Sequence, residues 1–163
     1  MAMHVERAPR LLLPQRVQVR RPLSDTVLPR IELAERIADF ANIVTVDDTS
    51  GTCPGGVELF FTPPVGLSRK RPEPRRFCRI DNSGIRIPLI SDWDKYQLIS
   101  RRWGILDQDE VLLFLPRSSH EVNICWTILS RAYDFLTEEG AADRQTRSAT
   151  MWNLPHYSRS RFH

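Results

Sequence analysis

One hundred and sixty-three residues suffice for one domain with tails. An apolar share of 41%, with twelve prolines against seven glycines, is low for a chain packed from end to end, so part of it is expected to lie outside the core. The net charge of +3 is unevenly spread: residues 1–30 hold six arginines against Glu6 and Asp25, residues 140–163 hold four against Asp143, and the middle is acidic. A basic face on the domain itself, the usual mark of a nucleic-acid binder, is therefore missing except in one loop. Arginine outnumbers lysine 21 to 2, a skew that fits the codon usage of a GC-rich genome better than selection for phosphate binding. No apolar run approaches the roughly 18 to 20 residues of a membrane span. Leu11-Leu12-Leu13 is too short for the core of a secretory signal, and Pro9, Pro14 and Pro22 oppose the helix of a transit peptide. A cytoplasmic protein with no membrane partner is expected.

In chain order, residues 1–28 combine prolines and arginines without periodicity and read as a mobile basic arm. Pro29 suits a first helical position, with Thr26 or Leu28 just outside. Ile31, Ala34, Ala38 and Ala41, with Leu33, Ile37 and Phe40 beside them, predict a helix over 29–42. "IVTVDD" alternates and is β-branched, which predicts a strand ending near Asp47. "TSGTCPGG" is a loop, and "GVELFFT" is a second strand over 56–62. The proline-rich connection that follows carries Arg69, Lys70, Arg71, Arg75 and Arg76 against Glu73.

"FCRIDNSGIRIPLI" is the clearest local signal. Two alternating runs flank Asn82-Ser83-Gly84, a hairpin connection in which Gly84 is free to take a positive φ. Strict alternation puts Phe77, Arg79 and Asp81 on one face and Cys78 and Ile80 on the other; Ile85, Ile87 and Leu89 oppose Arg86 on the return. Ser91 or Asp92 caps a helix that runs to about Trp103 and stops at Gly104. "VLLFL" lacks alternation and reads as a strand covered on both faces, closed by Pro116. Ser118 and Glu121 form a capping box. Val122, Cys125, Trp126, Leu129, Tyr133 and Leu136 then line one stripe of a helix over 119–139, ended by Gly140. The sum is a single α+β domain over 29–140. It is a two-layer sandwich with a mostly antiparallel sheet of about five strands covered by two or three helices, and residues 141–163 form a mobile basic tail.

The stretch from Gly56 to Leu136, about half the chain, resembles the small bacterial "luciferase domain-containing" family, whose function is not established. The resemblance rests on "GVELFF", "RIDNSGIRIPL", "WG" at 103 and 104, "LPRSSHEV" at 115–122 and "W..LSRAYDFL" within 126–136. The family label does not imply light emission, since flavin-dependent luciferases are large barrels. Members tend to carry histidines about where Arg79 and Asp81 stand, so a chemistry depending on those histidines would be absent here.

Candidate site residues are few. Arg117 follows a strand and precedes a helix N-terminus, where free N–H groups and a guanidinium together suit a phosphate or carboxylate. Arg79 and Arg86 on the hairpin are the other candidate anion anchors. His120 reads as a solvent-facing residue of the first helical turn, and His4, His156 and His163 lie in the arms without partners. Asp47-Asp48, Asp92-Asp94 and Asp107-Asp109-Glu110 fit caps and turns rather than a cation loop. The odd cysteines Cys53, Cys78 and Cys125 contain no CxxC, so no zinc site, disulfide framework or metal is expected. No cofactor is expected either. Trp93, Trp103 and Trp126 are expected in the core, while Trp152 in the tail is free to dock on a groove. Three functions follow: a binding or accessory domain, an enzyme for a small anionic substrate held by Arg117, Arg79 and Arg86, and a nucleic-acid module using the basic loop 69–79 and the arms. The first is preferred because no complete catalytic set can be assembled.

Overall fold

A computed structural model describes residues 11, 13–17, 23–47, 56–64 and 73–149. Within them a short 3-10 turn, Leu23–Thr26, leads into α1 (Val27–Ala38). The strands β1 (Ile43–Asp47), β2 (Val57–Phe61), β3 (Arg75–Asp81) and β4 (Gly84–Ile87) follow. Then come α2 (Asp92–Ser100), β5 (Gly104–Asp107), β6 (Glu110–Leu113) and the long α3 (Ser119–Ala149). The strands form one antiparallel sheet in the order β1-β2-β3-β4-β6-β5. This is the expected α+β two-layer sandwich with one strand more than the five anticipated.

One face of the sheet is the core. Leu59 sits opposite Cys78, Ile80 opposite Ile85, Ile85 opposite Leu113 and Ile87 opposite Val111, and all are buried. Val122, Cys125, Ile128, Leu129, Ala132 and Leu136 of α3, with Leu33 and Ile37 of α1, close over it. Complete removal of such side chains from water stabilises the fold by about 1.5–3 kcal/mol each. Phe40, Phe61, Phe77 and Tyr133 fill the α1–α3 end with edge-on and stacked ring pairs, and the Tyr133 hydroxyl donates to the Ala41 carbonyl at 2.8 Å.

The hairpin forms as its sequence predicts. Gly84 has φ +147°, and a Cβ there would come within 2.5 Å of the Leu113 carbonyl oxygen, so only glycine fits. Other expectations need correction. A register shift between Leu59 and Phe60 leaves Phe77 without a cross-strand partner, and this bulge turns Phe77 to the core beside Cys78 instead of placing it with Arg79. Helix α2 ends at Ser100 and Arg102 takes the left-handed conformation (φ 62°), which frees Gly104 to start the extra strand. Val111 and Leu113 are buried while Leu112 and Phe114 are half-buried, so β6 is covered on one face, not both. Pro29 stands in the third position of α1, which begins at Val27 and ends at Ala38. Helix α3 runs through Gly140 to Ala149, so 141–149 is helical rather than a loose tail. Of the tryptophans among the described residues, only Trp103 is buried. Trp93 is exposed, and Trp126 is 38% exposed and stacks on Phe40.

The largest correction concerns the front arm. Leu11 and Leu13 are buried in the core cluster, and Arg16 is buried as well. This strap, Leu11 with Leu13–Val17, belongs to the folded body. Residues 1–10, 18–22 and 150–163, and with them His4, His156, His163 and Trp152, lie outside the described residues. So do Cys53, Asp48 and the basic residues Arg69, Lys70 and Arg71.

Candidate functional site

Helix α3 begins where Pro116 halts the chain beyond β6. The Ser118 hydroxyl accepts the Glu121 amide at 3.3 Å, the first half of a capping box. The second half is displaced by one residue, because the Glu121 carboxylate accepts the backbone N–H of Arg117 at 2.9 Å. The same carboxylate takes the Arg117 guanidinium through Nε at 3.1 Å and Nη2 at 2.5 Å. The anion that this helix N-terminus favours is thus the chain's own Glu121. Burial alone would raise that carboxyl, but the hydrogen bonds from Arg117 and the charges of Arg16 and Arg117 outweigh it and hold the group below the ordinary carboxylate range.

Arg16 of the strap completes the cluster. Its side chain is only 7% exposed. Nη2 donates to the Leu115 carbonyl at 2.8 Å and to Glu121 at 3.3 Å. The guanidinium lies 5.3 Å from the Trp103 ring centroid and 5.4 Å from that of Phe114. Two further bonds fix the strap backbone: Arg16 N–H donates to Arg101 O at 2.9 Å, and the Trp103 indole donates to Pro14 O at 2.6 Å. Arg117 Nη2 donates to Val17 O at 3.1 Å. Arg16 Nη1 is buried with no acceptor among the described residues. Burial lowers the Arg16 pKa and the Glu121 charge opposes that shift. One turn along α3, burial pushes the Cys125 thiol up to about 12, which makes it an inert core group.

Arg79 and Arg86 stand elsewhere. They are directly opposite one another across β3 and β4, on the sheet face turned away from the helices. The row through them reads Val46, Glu58, Arg79, Arg86, Leu112, Ile105, one residue per strand. Arg79 pairs with Glu58 at 3.5 Å and Asp81 at 3.2 Å, Arg86 with Asp107 at 2.6 Å, and Arg76 with Glu110. Asp81 also accepts the Ser83 amide at 2.7 Å and the Ser83 hydroxyl. Burial would raise the Asp81 carboxyl, yet the Ser83 bonds and the charges of Arg79 and Arg86 leave it lowered.

Of the three expected anion anchors, two come together on the sheet face, and the third, Arg117, engages Glu121 and Val17. The expected basic loop is in part strand, since Arg75, Arg76 and Arg79 belong to β3. Asp94 in the first turn of α2 is buried and receives Arg131 Nε at 3.0 Å, so that acidic pair is structural. His120 is exposed in the first turn of α3. Among the described residues no group of three His, Cys, Asp or Glu side chains is placed to hold a metal ion. The sequence reading missed Arg16 and Trp103 as partners. The one signal was the apolar triplet Leu11-Leu12-Leu13 inside an otherwise polar arm.

No family model, no curated protein and no solved structure matches this chain.

Proposed function

We propose that this domain is a binding or accessory protein that engages another protein through the uncovered face of its sheet. The observation that supports this is the composition of that face. Arg76, Arg79 and Arg86 are each matched by a carboxylate from Glu58, Asp81, Asp107 or Glu110. Apolar side chains border the matched charges: Val44 and Val46 on β1 are 51% and 47% exposed, and Ile105 on β5 is 48% exposed. Arginine matched by acid and set among exposed aliphatic groups suits a protein partner of mixed charge. A small anion or a phosphate backbone needs a surplus of cations instead, and in these pairs, among the described residues, four carboxylates meet three arginines. The likeness of Gly56–Leu136 to the luciferase domain-containing family is part of this reading and assigns no chemistry to it. The reading places the domain in the cytoplasm, in keeping with the free, buried Cys78 and Cys125. Among the described residues no helix is long and apolar enough to cross a membrane.

Two measurements test this. Melting of the full chain with millimolar phosphate, citrate or nucleotides is expected to be unchanged. A rise of roughly 5 °C that vanished in Arg79→Ala or Arg86→Ala would return the site to an anionic ligand. A photoreactive side chain at position 46 or 105 is expected to cross-link one and the same protein in extracts of the source cell, with the exposed Leu28 position as the control. Equal labelling from all three positions would count against the face. An enzyme for a small anionic substrate and a nucleic-acid module are the competing readings; salt-sensitive gel retardation would favour the latter.

A further inference from the structure

We propose that the strap, Leu11 with Leu13–Val17, is a displaceable occupant of its groove, and that the groove takes a leucine- and arginine-bearing segment of another protein in its place. This surface is separate from the sheet face.

Three observations carry the proposal. First, the groove is built without the strap. The backbones of Trp103 and Phe114 are joined just beyond the β5–β6 pairing, through Phe114 N–H to Trp103 O at 2.9 Å, and Glu121 is held by Arg117 and Ser118. No strap residue takes part in the sheet. Second, the groove presents what an incoming peptide needs. Arg101 and Leu115 offer carbonyls, Trp103 and Arg117 offer N–H donors, and Glu121 waits beside two rings for a guanidinium. These are the main-chain and anchor contacts by which domains recognise peptide segments. Third, the strap fits imperfectly. Arg16 Nη1 is shut away from water with no acceptor among the described residues. A buried donor left unmade weakens binding by roughly 10- to 100-fold. A tethered segment holds its site through an effective concentration in the millimolar range, so a modest fit still keeps it in place. A segment that satisfied the lost hydrogen bond would overcome that advantage.

The test uses the isotope-labelled full chain and a synthetic peptide of residues 9–18. In native-state hydrogen exchange the Arg16 amide is expected to exchange at least ~100-fold faster than the Ile85 and Leu113 amides, through local opening. Millimolar peptide is expected to speed it further by displacing the strap, and the same peptide carrying Arg16→Ala is expected to do nothing. An Arg16 amide that exchanges only with the core would overturn the proposal, as would a peptide without effect. Sedimentation supplies the remaining arm. A dimer that forms with rising concentration and is lost in the Arg16→Ala chain would make a second copy the occupant and overturn the assignment to another protein.

Discussion

Two arginine clusters in this molecule are made of the same parts, and one of them includes a pair more open to water. At the start of α3, Arg16 and Arg117 share Glu121, and the side chains are 7%, 14% and 13% exposed. On the uncovered sheet face, Arg79 and Asp81 are 18% and 7% exposed, but Arg86 and Asp107 form a more open pair at 29% and 38%. In the first place water has largely been removed, so every unmet charge is costly and each partner depends on the others. In the second, water screens the pair and can replace either member. The first cluster therefore stabilises the fold and demands a guanidinium in the place of Arg16, while the second lies open at the surface, where water can stand in for either member.

The comparison can be broken in four ways, in order of expected effect. Glu121→Ala leaves two guanidinium groups without their carboxylate and removes a helix cap, so urea unfolding should show a loss of about 3–5 kcal/mol. Arg16→Ala removes charge-assisted bonds to Leu115 O and Glu121 and the ring contacts, but leaves Arg117 in place; a loss of about 1.5–3 kcal/mol is expected. Acid should find the first cluster next. The folded Glu121 carboxyl lies below its ordinary 4.5, so its contribution is complete above that value and is lost as pH falls through the lowered one. Protection of the Arg16 amide should follow the Glu121 carboxyl titration seen by NMR, and should ignore that of Asp81, which is also lowered. Arg86→Ala comes last, with a change below about 1 kcal/mol in the same urea assay. A large loss there, or a small one at Glu121, would reverse the contrast.

Much of the fold is local in origin and was legible. The hairpin at Asn82–Gly84, the Ser118 cap and the buried stripe of α3 each depend on residues a few positions apart. What was not legible depends on distant partners. The arm was judged by its prolines and arginines, yet the contacts that seat Arg16 come from residues 101, 103, 114, 115 and 121. No spacing within the arm announces them. Gly104 carries the signal of a helix stop and serves as the first residue of a strand, because Arg102 had already turned the chain. The face of Phe77 was misjudged because a bulge breaks the two-residue period on which the assignment relied. Arg117 was singled out as an anchor for a bound anion, and in the structure it pairs with a carboxylate of its own chain. Its counter-ion was equally visible as Glu121, four residues on, but was read only as a cap.

The strap also bears on how this chain is made. Synthesis delivers residue 16 long before residue 121, and the acceptors it needs arrive last. The strap must stay solvated until the start of α3 has left the ribosome. Closing a loop of about a hundred residues then becomes a final step of maturation, and a nascent chain stalled before Glu121 should expose its first leucines to chaperones.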